Sequence, residues 1–428
     1  MLDKARIRRF SAATLLLAVM LLGNGPGLAA TLTISCGAVG IELALCREGA
    51  EAWAEQTGHE VKVVSTPNSS SERLALYQQL LAAQASDIDV FQIDVIWPGL
   101  LANHLHDLTV HLSEETANHY PAMIANNTVN GGLIAMPWFA SVGVLYYRKD
   151  LLDKHGEPVP TTWDELTGIA TRIQAAERRA GKHKLWGYVW QGRAYEGLTC
   201  NALEWVASEG GGTLIDADGK ITIDNPAAAQ ALARAAGWVD TITPPGILNY
   251  AEEEARGVFQ SGDAVFMRNW PYAWSLSQSD DSPVRDKVGV APLPGGANGN
   301  SVSTLGGWQL AVSRYSQNPA LAADLVRYLT SPAEQKRRAI RGSLNPTIPV
   351  LYEDAEILGS APFFADLVPI MRSAVARPSA STGSKYNQVS HAFWSATHQT
   401  LSGKRPAQAS LKALQRRLER LSRGGTRW

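Results

Sequence analysis

The sequence predicts an α/β chain wound around parallel strands. Two observations carry this. After residue 30, short runs of β-branched residues alternate with longer stretches whose apolar residues recur at helical spacing. The composition agrees: 45% of the 428 residues are hydrophobic and 18% charged, which is too apolar for a disordered chain. A chain of this length suggests roughly two to three domains of about 150 residues each.

The elements follow in order. Residues 31–34 alternate as a strand, 41–56 carry helical periodicity that stops at Gly58, and 61–64 form a second strand. A helix is predicted over 73–85 and a strand over 88–93. In such sheets ligands sit beyond the carboxyl ends of the strands, and Asp94 lies at one such end. Further strands are predicted at 144–147, 186–190, 264–266, 288–291 and 309–312, and further helices near 163–180, 199–209 and 226–240. Beyond Pro319 the chain is mostly helical. It closes on a basic amphipathic helix with Leu411, Leu414, Leu418 and Leu421 on one stripe and Arg416, Arg417 and Arg420 off it. Those arginines read as a solvated face.

Residues 1–30 read as a secretory signal. Lys4, Arg6, Arg8 and Arg9 precede an apolar stretch over 12–22, which is too short for a bilayer that needs about 20 residues, and the small residues Gly27, Ala29 and Ala30 follow. Arg8-Arg9 lacks the flanking pattern of a twin-arginine signal, so the general secretory route is expected, with delivery to the periplasm. The whole chain carries a formal charge of −1. Removing four bases and one acid with the signal leaves a mildly acidic chain, which argues against nucleic acid as a partner.

Catalytic and metal chemistry find little support. Cys36, Cys46 and Cys200 lack CxxC spacing; Cys36 and Cys46 either pair or stay as buried thiols. His104, His106, His111 and His119 lie near Asp107, Glu114 and Glu115, yet no HExxH or Cys-His spacing supports zinc, and surface histidines are the expectation. No GxSxG elbow or phosphate-binding glycine loop is present. Glu42, Asp94 and Glu196 are carboxylates of the kind a glycosidase pairs, but no motif joins them. No cofactor is implied. Aromatic residues carry a stronger signal. The 13 Trp exceed the 8 Phe, and Trp270, Trp274 and Trp308 stand among Gly, Pro and Asn. Flat aromatic faces flanked by carboxylates and Arg suit the apolar faces and hydroxyl edges of sugars.

Several segments then carry a family likeness. Residues 89–97 (DVFQIDVIW), 144–152 (VLYYRKDLL), 190–198 (WQGRAYEGL), 268–274 (RNWPYAW), 280–284 (DDSPV), 288–294 (VGVAPLP) and 305–308 (LGGW) resemble the sugar-binding proteins of ABC importers, in the trehalose/maltose-binding branch. The resemblance implies a two-lobed periplasmic-binding fold of type II, not an enzyme. Its cleft lies between the lobes and the chain crosses three times, near 139–143, 293–299 and 343–349. Lobe one would hold 31–140 and 293–345, and lobe two 141–292 and 346–428. The family's sugar contacts fall on Arg73 and Asp94, on Glu42 through a loosely matching loop, on Trp270, Tyr272, Gly307, Trp308 and Arg377, with Trp394 as a further platform or a core residue. Phe139 and Ser141 stand where close relatives carry Tyr and Asp, so one strong acceptor is lost. The implied ligand is an α-glucoside disaccharide, trehalose or maltose. The implied partners are the membrane permease and its ATPase, met by a monomeric receptor. Another oligosaccharide, a polyol or a glycerol phosphate is the alternative ligand, and a secreted carbohydrate-active enzyme is the alternative of another class.

Overall fold

A computed structural model describes residues 29–297, 299–424 and 428, so the signal reading lies, up to residue 28, outside the described residues. The strands in chain order are β1 (Thr31–Cys36), β2 (Glu60–Ser65), β3 (Val90–Asp94), the short hairpin β4 (Thr128–Val129) and β5 (Gly132–Leu133), β6 (Met136–Val142), β7 (Val144–Arg148), β8 (Trp186–Val189), β9 (Ala264–Asn269), β10 (Val288–Ala291) and β11 (Leu305–Val312). They form a five-stranded sheet, β2-β1-β3-β11-β6, and a four-stranded sheet, β10-β7-β9-β8, each packed with helices as one lobe.

Local sequence explains the ends of the elements. Glu42–Thr57 is helical and stops at Gly58, whose φ of 72° only glycine adopts without cost. Ser70–Ala82 starts at Ser70 rather than at the predicted 73, because the Ser69 side chain accepts the Glu72 amide at 3.3 Å and caps the helix. Trp163–Arg179 opens on a reciprocal capping box between Thr162 and Glu165. Cys36, ending β1, and Cys46, in the following helix, are joined by a disulfide with Cα atoms 6.5 Å apart, and Cys200 is buried and unpaired.

Three expectations need correction. First, the sheets are mixed. β1 runs parallel to β2 and β3, but β11 is antiparallel to β3 and β6, and β7 is antiparallel to β9 and β10. Only Gly143 separates β6 from β7, so no crossover helix intervenes; the chain changes sheet there. Second, the later passes fall elsewhere than predicted. Residues 295 and 296 belong with the four-stranded sheet's helices: the Gly295 amide donates to the Thr161 carbonyl and that of Gly296 to the Ser208 carbonyl, at 2.8 and 3.1 Å. Residues 343–349 run along β6, where Ala140 donates to Asn345 and Thr347 Oγ1 to Pro137. The passes lie instead at 303–305 and near Val375, which pair with each other through Val375 N to Ser303 O and Leu305 N to Val375 O. Third, His119 is no surface histidine. It is buried against Thr347, 2.8 Å away, and burial pushes its pKa down to about 4.

Most of the tryptophan excess is packing. Trp53, Trp97, Trp138, Trp163, Trp190, Trp205 and Trp238 are almost wholly buried. Trp190 meets Trp205 edge-on at 4.9 Å, and Trp205 meets Trp238 at 5.7 Å. Such pairs add about 0.5–1.5 kcal/mol beyond area burial. Trp394 packs against the core with its ring edge-on to His391 at 4.4 Å, and Trp274 lies against Phe363, so neither faces the cleft. The C-terminal helix buries Leu411, Leu414 and Leu418, and leaves Arg416, Arg417 and Arg420 exposed.

Candidate ligand-binding site between the lobes

Between the two sheets lies a cleft holding about 690 Å³ of space, open solvent included. Its first wall is the end of the five-stranded sheet. Register sets it: Trp308 on β11 lies opposite Asp94 on β3 and opposite Phe139 on β6, and the ladder is irregular between Trp308 and Gln309. Gly307 faces Ala140 and Gly306 faces Ser141. Gly307 has φ 139°, and a Cβ there would stand 2.8 Å from the Phe139 carbonyl oxygen. Only glycine therefore brings this backbone to the ligand side. Glu42, the first residue of its helix, closes the wall.

The second wall comes from the segment after β9. Pro271 follows Trp270 and starts a turn, and the Asn269 side chain accepts the Trp270 amide at 2.9 Å, which fixes the half-buried indole at the cleft. Trp270 Nε1 donates to Glu252 at 3.3 Å, and Tyr272 donates its hydroxyl to Glu253 at 2.7 Å.

Arg377 joins the walls. Its Nη2 donates to Asp94 Oδ1 at 2.8 Å and its Nη1 to Glu196 Oε1 at 3.0 Å, with a weaker contact to Asp94 Oδ2 at 3.5 Å. Asp94 ends a strand of one lobe, while Glu196 begins a helix of the other, so one guanidinium clasps both. Burial opposes its charge, but Asp94 and the neighbouring acidic groups outweigh that and push its pKa up. Glu196 also accepts Ser390 Oγ at 2.6 Å, yet burial still raises its pKa. Nearby, Ser71 Oγ accepts the Glu196 amide at 3.2 Å and Arg193 pairs with Glu72 at the exposed rim. Both link the lobes.

Of the residues singled out in the sequence, Glu42, Asp94, Phe139, Ser141, Trp270, Tyr272, Gly307, Trp308 and Arg377 converge on this cleft. Arg73 does not line it. It is wholly buried behind Trp308, 4.2 Å from the ring centroid, and its Nε and Nη2 donate to the Pro67 carbonyl while Nη1 has no partner. The Trp308 ring that it packs against lines the cleft, and Arg73 does not. Glu42 has one weak donor, Gln92 Nε2 at 3.4 Å, and burial raises its pKa to about 7. Sequence reading missed Asn68, Ser70, Glu252 and Asn345, which also line the cleft. Asn345 is buried with both amide atoms unpartnered; its only signal was its place in a Ser-Leu-Asn-Pro stretch. Among the described residues no cluster of three metal-ligating side chains occurs, and no helix is long and apolar enough to cross a membrane.

Two lobes, chain passes between them and a polar, aromatic cleft are the architecture of a ligand-binding cleft. The comparisons agree: residues 44–336 match the bacterial extracellular solute-binding proteins, and the chain belongs to that family, the substrate-binding components of ABC transporters. It is 52% identical to a probable ABC transporter-binding protein of Deinococcus radiodurans over 97% of this chain and 99% of the relative. Among solved structures, maltose-bound MalE3 of T. maritima superposes with a TM-score of 0.87 at 40% identity, covering 92% of this chain and all of that one. A solute-binding protein of Thermotoga lettingae bound with α-D-tagatose superposes at 0.83 with 23% identity over 92% of this chain and 100% of its own, a likeness of fold.

Proposed function

We propose that this chain binds an α-glucoside disaccharide, trehalose or maltose, in the periplasm and hands it as a monomer to the permease of its ABC importer. The observation that carries the reading is the pairing of two half-buried indoles, Trp308 from one lobe and Trp270 from the other, in a cleft bordered by Glu42, Asp94, Glu196 and Glu252. Indole faces accept the C–H faces of a pyranose, and the carboxylates accept its hydroxyls. The maltose in the 40%-identical relative supports an α-glucoside. Binding works by differential contact: the sugar touches both walls only when the lobes are closed, so it favours closure by that added contact energy. Asp94 and Glu42 orient the sugar from the first lobe, Trp270, Tyr272 and Arg377 from the second. Arg73 holds the Trp308 ring instead of reaching a hydroxyl. At Phe139 and Ser141 no carboxylate meets the sugar, so recognition there rests on ring packing and one hydroxyl. Calorimetric titration with trehalose, maltose, sucrose, mannitol and glycerol 3-phosphate tests the reading. One-to-one binding of trehalose or maltose, with the sugar recovered intact, is expected. Preference for mannitol or glycerol 3-phosphate by tenfold or more would replace the disaccharide.

A further inference from the structure

Behind the Trp270 platform lies an ion pair that does not line the cleft. Arg268, on β9, and Glu204, in the helix Glu196–Ser208, both have wholly buried side chains. Arg268 Nε donates to Glu204 Oε2 at 2.9 Å and Nη2 to Oε1, while Nη1 donates to Gln191 Oε1 at 3.0 Å. Gln191 Nε2 returns a bond to the Arg268 carbonyl at 3.0 Å. Every guanidinium nitrogen is therefore held, and the flat cation has one position.

Two structures lean on it. The guanidinium carbon lies 3.9 Å from the Trp270 ring centroid, so the cation supports the indole from the lobe's interior. The carboxylate faces the chain passes: Glu204 Oε1 accepts the Thr304 amide at 3.1 Å. A Cβ on Gly143 would stand 2.2 Å from Glu204 Oε1 and 2.6 Å from Arg268 Nη2, so the pair packs directly on that backbone. Ser303 Oγ donates to the Gly143 carbonyl at 2.7 Å, and Ser303 pairs in turn with Val375. All three passes between the lobes thus meet beside one buried ion pair.

We propose that Arg268 and Glu204 are positioning residues that tie the Trp270 platform to the hinge, so that the ring's place in the cleft and the geometry of the passes are set together. The inference rests on the sugar-binding reading of the cleft. It is separable from a packing role, because replacing a buried ion pair by apolar residues of similar volume is often neutral or stabilising. The double variant Arg268→Met/Glu204→Met therefore keeps its fold and melting temperature if the pair only fills space. As a positioning device it keeps the fold but loses at least tenfold in maltose and trehalose affinity, through faster dissociation. It also changes the near-UV circular dichroism of Trp270, read as the difference between each protein and its Trp270→Phe counterpart. Gly143→Ala pushes on the pair from the hinge side, and the same two changes are expected of it. It decides the matter if the double variant does not fold. Parent-like affinity and an unchanged Trp270 difference spectrum in the folded variants overturn the inference. If the parent binds neither sugar, the sugar reading falls, and the Trp270 spectrum of Gly143→Ala alone still decides whether hinge and platform are coupled.

Discussion

Replacing Arg377 by Met, a side chain of similar reach without charge, removes a cation that both lobes share in the cleft. In the closed protein this leaves Asp94 and Glu196 facing each other with their side chains 8% exposed and no cation between them. Three contacts are lost, at 2.8, 3.0 and 3.5 Å. Hydrogen bonds to charged groups contribute about 1.5–3 kcal/mol each. Stranding one side of a buried ion pair costs about 3–5 kcal/mol. When the lobes part, water reaches both carboxylates, so the penalty falls on closure and not on folding. Since ~1.4 kcal/mol is a factor of ten, sugar affinity falls roughly 100- to 4000-fold while the melting temperature moves little. Titration with maltose or trehalose measures the loss, and small-angle scattering with and without sugar shows whether the variant still compacts. Adding Glu196→Gln removes one stranded charge and regains about tenfold or more. Lowering the pH acts in the same direction, because burial already raises the Glu196 pKa. A folded Arg377→Met protein that closes and binds within threefold of the parent would falsify the clasp.

Trp270→Ala and Asp94→Ala are each expected to weaken sugar binding tenfold or more with unchanged far-UV circular dichroism; near-normal affinity in either would remove that residue from the site. Glu42 makes stability depend on pH. Its pKa, near 4.5 when unfolded and about 7 when folded, means that between those values the folded state holds a proton the unfolded state has released. Stability therefore falls as pH rises through this window, by up to ~3 kcal/mol in total. Urea unfolding across the window shows this slope in the parent, and Glu42→Gln flattens it; parallel profiles would refute the assignment. Opening the Cys36–Cys46 bridge, with a sequence separation of 10, removes a short loop constraint worth about 2–3 kcal/mol. The Cys36→Ser/Cys46→Ser protein should melt several degrees lower, and an equal melting temperature would count against the bridge.

Periodicity and capping chemistry determined much of this protein from sequence alone. The strand starting at Thr31, the helix stopping at Gly58 and the strand ending at Asp94 are local matters, set by side-chain alternation, by one glycine and by the run of apolar residues. The motifs around 89–97, 268–274 and 305–308 marked the cleft's aromatic and acidic residues, because a ligand face needs those side-chain types together. Tertiary structure decided the rest. The antiparallel placement of β11 between β3 and β6 puts Trp308 beside Asp94 and Phe139, and no local pattern encodes partners so far away in the sequence. The passes at 303–305 and Val375 are set by hydrogen bonds between distant segments, so turn-forming composition at 293–299 and 343–349 pointed to the wrong places. Arg73 and Trp308 show the same limit: the sequence marked both, and packing leaves the indole on the cleft with the guanidinium buried behind it. Burial, which alone separates a core tryptophan from a sugar platform, is a property of the packed chain and of no single stretch of it.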